Sequence, residues 1–386
     1  MKSEDKNISS NPGIYLHIPF CERKCGYCDF YSVTALYKKE PFVQSLLKEI
    51  EIVGQQISAE ATFDTIYLGG GTPSLLTPHE LELILQALDK QFKISSDCEI
   101  TLEANPGTVI EAYLRDYRKL GVNRLSIGVQ SFNSWELQLL ERIHSADDAL
   151  RTFRLARDAG FGNISIDLIY ALPGQTGSHY LTSLQKAVEL QPEHISAYNL
   201  IFEEGTSFFV RRQQGVLQQK DEDEEFTFFM MTNEFLSGHG YPAYEVSNYA
   251  RSPRFYSRHN YKYWQHVPYL GFGPSAHSFW QGERRANARS LSRYLSDLQN
   301  GQLPVDFRET IDAGTEEFEY IFLRLRTYEG LNAEYFKQHF GRSFFESYRS
   351  IINSLLSMDY AQWEAPYFRL TKKGMAVCDE ILPLFS

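Results

Sequence analysis

Three cysteines fall within eight positions, Cys21, Cys25 and Cys28, in the spacing C-x3-C-x2-C. Thiolates this close on one loop can converge on a soft-metal centre, either a zinc ion or an iron–sulfur cluster. A zinc ion needs a fourth ligand, for which His17 is the nearest candidate, and structural zinc sites usually pair cysteines in two knuckles that this sequence lacks. A four-iron cubane held by three thiolates leaves one iron free for an exchangeable ligand. Cys98 and Cys378 stand alone and read as buried small hydrophobes. Five cysteines in 386 residues are too few for a disulfide scaffold, so the cluster implies a metal in a reducing compartment.

The elements that must position these groups follow from short β-branched runs alternating with helical patterns. The pattern predicts strands at 13–18, 65–68, 99–103, 124–128, 163–168 and 195–200, and helices at about 41–56, 78–92, 110–120, 146–159 and 179–190. Such alternation implies an α/β fold with a parallel sheet and right-handed crossovers, and six units suit a barrel or an incomplete barrel. The unusual residues fall at the carboxyl ends of these strands. The cysteines follow the first, Gly69–Gly70–Gly71–Thr72 the second and Gln130 the fourth; Glu103 ends the third, Asp167 the fifth, and Tyr198 with Asn199 the sixth. Sites of α/β barrels are built on that rim.

Composition narrows the function classes. Of the residues 43% are hydrophobic and 23% charged, which is globular rather than disordered. The 38 Lys and Arg against 49 Asp and Glu give a net charge of −11, which repels phosphate backbones, so nucleic acid is not an expected partner. No apolar run approaches the roughly 18–20 residues that cross a bilayer, and Met1 to Asn11 is too polar for a signal peptide, so a soluble, cytoplasmic protein is expected. The acidic run from Asp221 to Glu225 reads as the dipole-favoured first turn of a helix. Residues 241–279 are dense in Tyr, His, Asn and Gly without clean periodicity, and long irregular segments of that kind are more often functional than idle. From about Asp312 the order is three helices, strands at 361–364 and 367–370, and a last helix from Lys372, an α+β, winged-helix-like module expected to pack or dock a partner rather than read DNA.

Residues 14–30 (IYLHIPFCERKCGYCDF), followed after the second strand by LGGGTPS at 68–74, resemble the opening of a radical S-adenosylmethionine (SAM) protein. The resemblance continues through EANPG at 103–107, RLSIGVQSF at 124–132, DLIYALPGQT at 167–176 and HNYKYW at 259–264. Within that superfamily it is similar to the oxygen-independent coproporphyrinogen III oxidase family, which also contains the heme chaperone HemW. The resemblance implies a partial (β/α)6 TIM-like barrel at 13–240 after a polar tail at 1–12. It also implies an aromatic-rich segment at 241–310 closing the barrel and contacting ligand, and the winged-helix-like domain at 311–386.

It further implies a 4Fe-4S cluster on Cys21, Cys25 and Cys28, and SAM held by Tyr15, Tyr27, Gly70, Gly71, Thr72, Glu103, Gln130, Arg142 and Asp167. The glycines would let the cofactor approach bare backbone, and Arg142 could pair with a carboxylate. His259 is the expected heme ligand, with a weaker version of the same case for His277. Two functions result: a chaperone that carries heme to a respiratory apoprotein, or the oxidase that decarboxylates coproporphyrinogen III. The oxidase branch has a further cysteine two places after the third cluster ligand, where this chain has Phe30, and an aromatic extension before the first strand. Both departures favour the chaperone and argue against coproporphyrinogen III dehydrogenase activity, while the radical machinery remains. An electron donor, a homodimer and membrane association through the heme acceptor are further implications of the resemblance.

Overall fold

Six parallel strands lie side by side in chain order in the computed structural model, which describes residues 9–57 and 60–386: β1 (Gly13–Ile18), β2 (Thr62–Gly70), β3 (Lys93–Ala104), β4 (Arg124–Gln130), β5 (Ile164–Tyr170) and β6 (His194–Asn199). The crossovers carry α1 (Lys39–Gly54), α2 (Pro78–Gln91), α3 (Glu111–Lys119), α4 (Ser134–Leu139) with α5 (Ala146–Asp158), and α6 (Gly177–Glu189). This is the expected partial (β/α)6 barrel. Alternation along β1 explains its two faces: Ile14, Leu16 and Ile18 join the main hydrophobic cluster, whereas Tyr15 and His17 make polar and ring contacts. Helices α2 and α5 start at capping boxes, Thr77 with Glu80 and Ser145 with Asp148, which fix where each crossover turns.

After β6 come α7 (Ser207–Gln213) and α8 (Glu222–Gly238); the acidic run is the capped first turn of α8, with Asp221 as N-cap. The segment read as irregular contains β7 (Asn248–Ala250), α9 (Arg258–Trp264), β8 (Tyr269–Phe272) and β9 (His277–Trp280). β10 (Glu283–Asn287), α10 (Leu291–Gln299) and β11 (Val305–Thr310) follow. β7 extends the sheet antiparallel beyond β6, and β8 pairs parallel with β1 at the other edge, carrying β9–β11 outward. These edge strands are three to six residues long and exist by pairing with distant partners, which local alternation does not reveal.

The C-terminal module runs α11 (Ala313–Arg324), β12 (Leu331–Asn332), α12 (Ala333–Phe340), α13 (Phe344–Ser347), α14 (Arg349–Ser357), β13 (Ala361–Glu364), β14 (Tyr367–Leu370) and α15 (Lys372–Ala376). Its antiparallel sheet, in the order β12–β14–β13, and its helices enclose a second core around Leu325, Phe336, Phe344, Ile352 and Phe368, all fully buried. The arrangement is winged-helix-like. Cys98 and Cys378 are buried, as small hydrophobes are.

One buried carboxylate ties the barrel to its added edge. Glu49 on α1 accepts hydrogen bonds from the Gly273 N–H (2.8 Å), the Asn287 Nδ2 (2.6 Å) and the Tyr294 hydroxyl (2.6 Å). Removing it strands three buried donors, each costing about 1 kcal/mol or more. Glu49→Ala is expected to lower stability by about 3 kcal/mol, read as a drop in the urea midpoint with an unchanged slope.

Candidate functional site

The carboxyl ends of β1–β6 open into a cavity of about 350 Å³, and Cys21, Cys25 and Cys28 line it together with residues of every one of the last five strands or the loops that follow them. All three cysteines are free and half-buried. Thr72 Oγ1 donates to Cys21 Sγ at 3.5 Å and Arg142 Nη1 to Cys25 Sγ at 3.7 Å. Burial pushes the Cys21 thiol up, and the Cys28 thiol up to about 11, so thiolates here call for a cation. His17 is no zinc ligand: Nε2 faces the Tyr31 carbonyl at 2.8 Å, Nδ1 meets the Tyr15 hydroxyl at 3.1 Å, and burial lowers its pKa to about 4. Among the described residues no three His, Cys, Asp or Glu side chains converge as the ligands of one ion would. Thiolates bound to separate corners of a cubane stand further apart than ligands of a single ion.

Gly70, Gly71 and Thr72 line the same cavity. The reason for glycine there differs from the one expected. A Cβ on Gly71 would sit 2.7 Å from the Phe20 carbonyl oxygen and 2.9 Å from that of Ile18, and one on Gly70, whose φ is +105°, 2.6 Å from the His17 ring. The side chains are excluded by the protein's own packing. Glu103 accepts from the Tyr67 hydroxyl at 2.8 Å and the Gly70 N–H at 3.2 Å, and burial raises its pKa to about 7. Asp167, also raised by burial, accepts from the hydroxyls of Ser126 and Ser165. Gln130 lines the cavity from a left-handed backbone position, φ 66°. Among the described residues Arg142 pairs with no carboxylate; it bonds Cys25, Asn105 and the Gly128 carbonyl, and its buried Nε has no partner there. Tyr27 lines the cavity, its ring edge-on to Phe208.

Three expected site residues lie elsewhere. Tyr15 does not line the cavity; its ring stacks on Tyr67 and its hydroxyl meets His17. His259 is not placed to ligate heme. It is 1% exposed, Nδ1 pairs with Thr65 Oγ1 and Nε2 with the Tyr263 hydroxyl, both at 2.9 Å, and burial lowers its pKa to about 3. Both ring nitrogens are committed to structural bonds. His277 is exposed at the start of β9 and is not a cavity residue. Phe30, 68% exposed, does line the cavity. The sequence reading missed Tyr67, Arg124, Ser126 and Asn260, all of which line it; the only signal for the last three was position on the motifs already quoted, and Tyr67 directly precedes one of them.

Comparison with known proteins decides the family. Residues 15–187 match the model of the radical SAM superfamily, and residues 315–377 that of the HemN C-terminal domain. The chain is 34% identical over 379 residues to the heme chaperone HemW of Bacillus subtilis, covering 96% of this chain and 98% of the relative. It is 33% identical over 382 residues to HemW of Escherichia coli, covering 96% and 97%. The mouse mitochondrial radical S-adenosyl methionine domain-containing protein 1 is 34% identical over 394 residues, covering 98% and 88%. The chain belongs to the HemW family of the radical SAM superfamily. The solved coproporphyrinogen III oxidase HemN of Escherichia coli has the same fold, with a TM-score of 0.85 at 22% identity, covering 98% of this chain and 91% of that one. Among the described residues no helix is long and apolar enough to cross a membrane.

The radical SAM family implies a 4Fe-4S cluster and SAM, and the donor set fits both: three thiols with one iron corner to spare, and beside them Glu103, Asp167, Gln130 and an unpartnered Arg142 nitrogen. The Gly71 contact predicts that Gly71→Ala pushes the β2 loop off the β1 loop and at least halves the iron and sulfide bound per chain after reconstitution. Gly162→Ala, with open space around it, should bind as wild type does. Glu103 gives a pH dependence. Its folded pKa lies above the ordinary carboxylate value, so its contribution favours folding below that range and is lost as pH rises through about 7. Urea midpoints of apoprotein should therefore fall between pH 5 and 8, and Glu103→Gln should make that fall shallower.

Proposed function

We propose that this chain is a heme chaperone that binds heme and hands it to a respiratory-chain apoprotein. Cys21, Cys25 and Cys28 would hold the 4Fe-4S cluster, and Tyr27, Gly70, Gly71, Thr72, Glu103, Gln130, Arg142 and Asp167 would hold SAM. When bound, that pair supplies one-electron chemistry at the rim of the barrel. The chain's own residues do the positioning. Thr72 and Arg142 donate to cluster-ligand sulfurs, which lowers the cost of thiolate charge in a buried place. Tyr67 and the Gly70 N–H fix the Glu103 carboxylate, and Ser126 with Ser165 fixes that of Asp167, so both face the cavity already oriented.

The observation that carries the choice of chaperone over oxidase is Phe30. Where the oxidase branch has a cysteine, this chain has an aromatic ring 68% exposed on the cavity wall, with Ile201 at 58% and Tyr198 at 40% on the same cavity. An apolar mouth suits a flat hydrophobic macrocycle, and Phe30 offers no thiol for hydrogen transfer. The names of the full-length relatives support the same reading.

Anaerobically reconstituted protein is expected to bind heme, followed by the Soret band, and to leave coproporphyrinogen III unconverted; formation of protoporphyrinogen IX would reverse the assignment. Cys25→Ala should abolish the cluster's visible absorption while its circular dichroism stays that of wild type, because the ligands sit on a rim loop outside the core.

A further inference from the structure

Arg124 opens β4 and is 1% exposed, yet it is one of the residues lining the cavity. Its Nε and Nη1 are buried without a hydrogen-bond partner. A guanidinium carries five donors and keeps its charge, and each buried donor left unpaired costs about 1–3 kcal/mol. The carboxylates near enough to feel its charge are already engaged by other donors: Glu103 by Tyr67 and Gly70, Asp167 by Ser126 and Ser165, and Glu99 by the His259 N–H. They balance Arg124 through space and leave its Nε and Nη1 donors without a partner. Arg142, a half-buried arginine on the same cavity, differs in being tied to a thiol, an amide and a carbonyl.

We propose that Arg124 is an anion site that takes a carboxylate of the cavity's organic ligand, a propionate of the tetrapyrrole; this rests on the heme-binding reading above. The rigid ring matches the exposed apolar wall of Phe30, Tyr198 and Ile201, and a flexible carboxylate arm is the part able to reach a buried guanidinium. Ser126 and Asn260, on the same cavity, bring further polar groups to that floor. A charge-assisted contact to a carboxylate is a stronger hydrogen bond than a neutral one and would satisfy a donor that is otherwise unpaired. The site also supplies discrimination, since a porphyrin lacking free carboxylates leaves Arg124 unpaired.

The test titrates cluster-loaded protein with SAM present, without oxygen, against heme and against heme dimethyl ester, whose carboxylates are neutralised. Wild type should bind heme at least tenfold more tightly than the ester. Arg124→Gln should bring heme to the ester's level and leave the ester's affinity unchanged, and Arg124→Lys should restore part of the difference. Equal affinity of wild type for both ligands, or discrimination that survives in Arg124→Gln, overturns the anion site while leaving the heme reading intact. Failure of wild type to bind heme at all overturns that reading itself, and the anion site with it. Should Arg124→Gln not fold, the wild-type comparison and Arg124→Lys decide.

Discussion

The cavity depends on how closely the first two strand–loop units pack. β1 and β2 run parallel in register, with Ile18 opposite Gly70, and one residue later the Gly71 N–H donates to the Ile18 carbonyl at 2.8 Å. No side chain fits at that point, since a Cβ on Gly71 would enter the Phe20 backbone. The loop bearing Cys21 and the loop bearing Thr72 therefore form one unit, closed by the Thr72–Cys21 contact. The other side of the cysteine loop is clamped as well. The Phe208 N–H donates to the Gly26 carbonyl at 2.9 Å, and Phe208 belongs to a small separate core with Leu140, Ile169, Leu172, Leu200 and Phe202. A loop without regular structure is thus held by backbone bonds from both directions, which is what a ligand set needs if its geometry is to exist before the metal arrives.

How much of this was legible in the sequence follows from the physics of each part. The six parallel strands and their helices were readable because buried strands and amphipathic helices each have a period of their own. Glu103, Gln130 and Asp167 were readable because the rim of a barrel collects chemistry. Arg124 escaped that rule by lying at the start of its strand, with a side chain long enough to reach the cavity from below the rim. His259 and Asn260 show the converse limit. Neighbours on a helix point about 100° apart, so a motif containing both does not say which faces the ligand; Asn260 lines the cavity and His259 is packed against β1 and β2. The edge strands β7–β11 were illegible because their existence depends on partners far away in the chain.

The interior of the barrel is costly in stability and organised for charge. Glu99, Glu103 and Asp167 all have pKa values raised by burial, and the charge of Arg124 opposes that rise in each. An apolar interior of equal volume would fold at less expense. What the polar interior gains is orientation: every one of these carboxylates is fixed by named donors before a ligand enters.

Asp167 shows how far that organisation extends. Burial lowers the pKa of His194 well below its ordinary value, so the imidazole is neutral and has one donor and one acceptor. The Ser165 hydroxyl has a single proton, which goes to Asp167 at 3.1 Å, so Ser165 accepts from His194 Nδ1 at 2.8 Å. His194 Nε2 is then the acceptor for the Tyr244 hydroxyl at 2.8 Å, and that oxygen accepts from the Ser257 N–H at 3.2 Å. With the Ser165 proton directed to Asp167, every link of the chain points its proton toward that carboxylate. The chain of dipoles supports the ionised carboxylate against its own burial. It also reaches the second core, because the Tyr244 carbonyl accepts from the Tyr328 N–H at 3.1 Å, four residues beyond the end of α11. The winged-helix-like module thereby buttresses the segment that orients a rim carboxylate, which gives a physical reason for one chain to carry both parts.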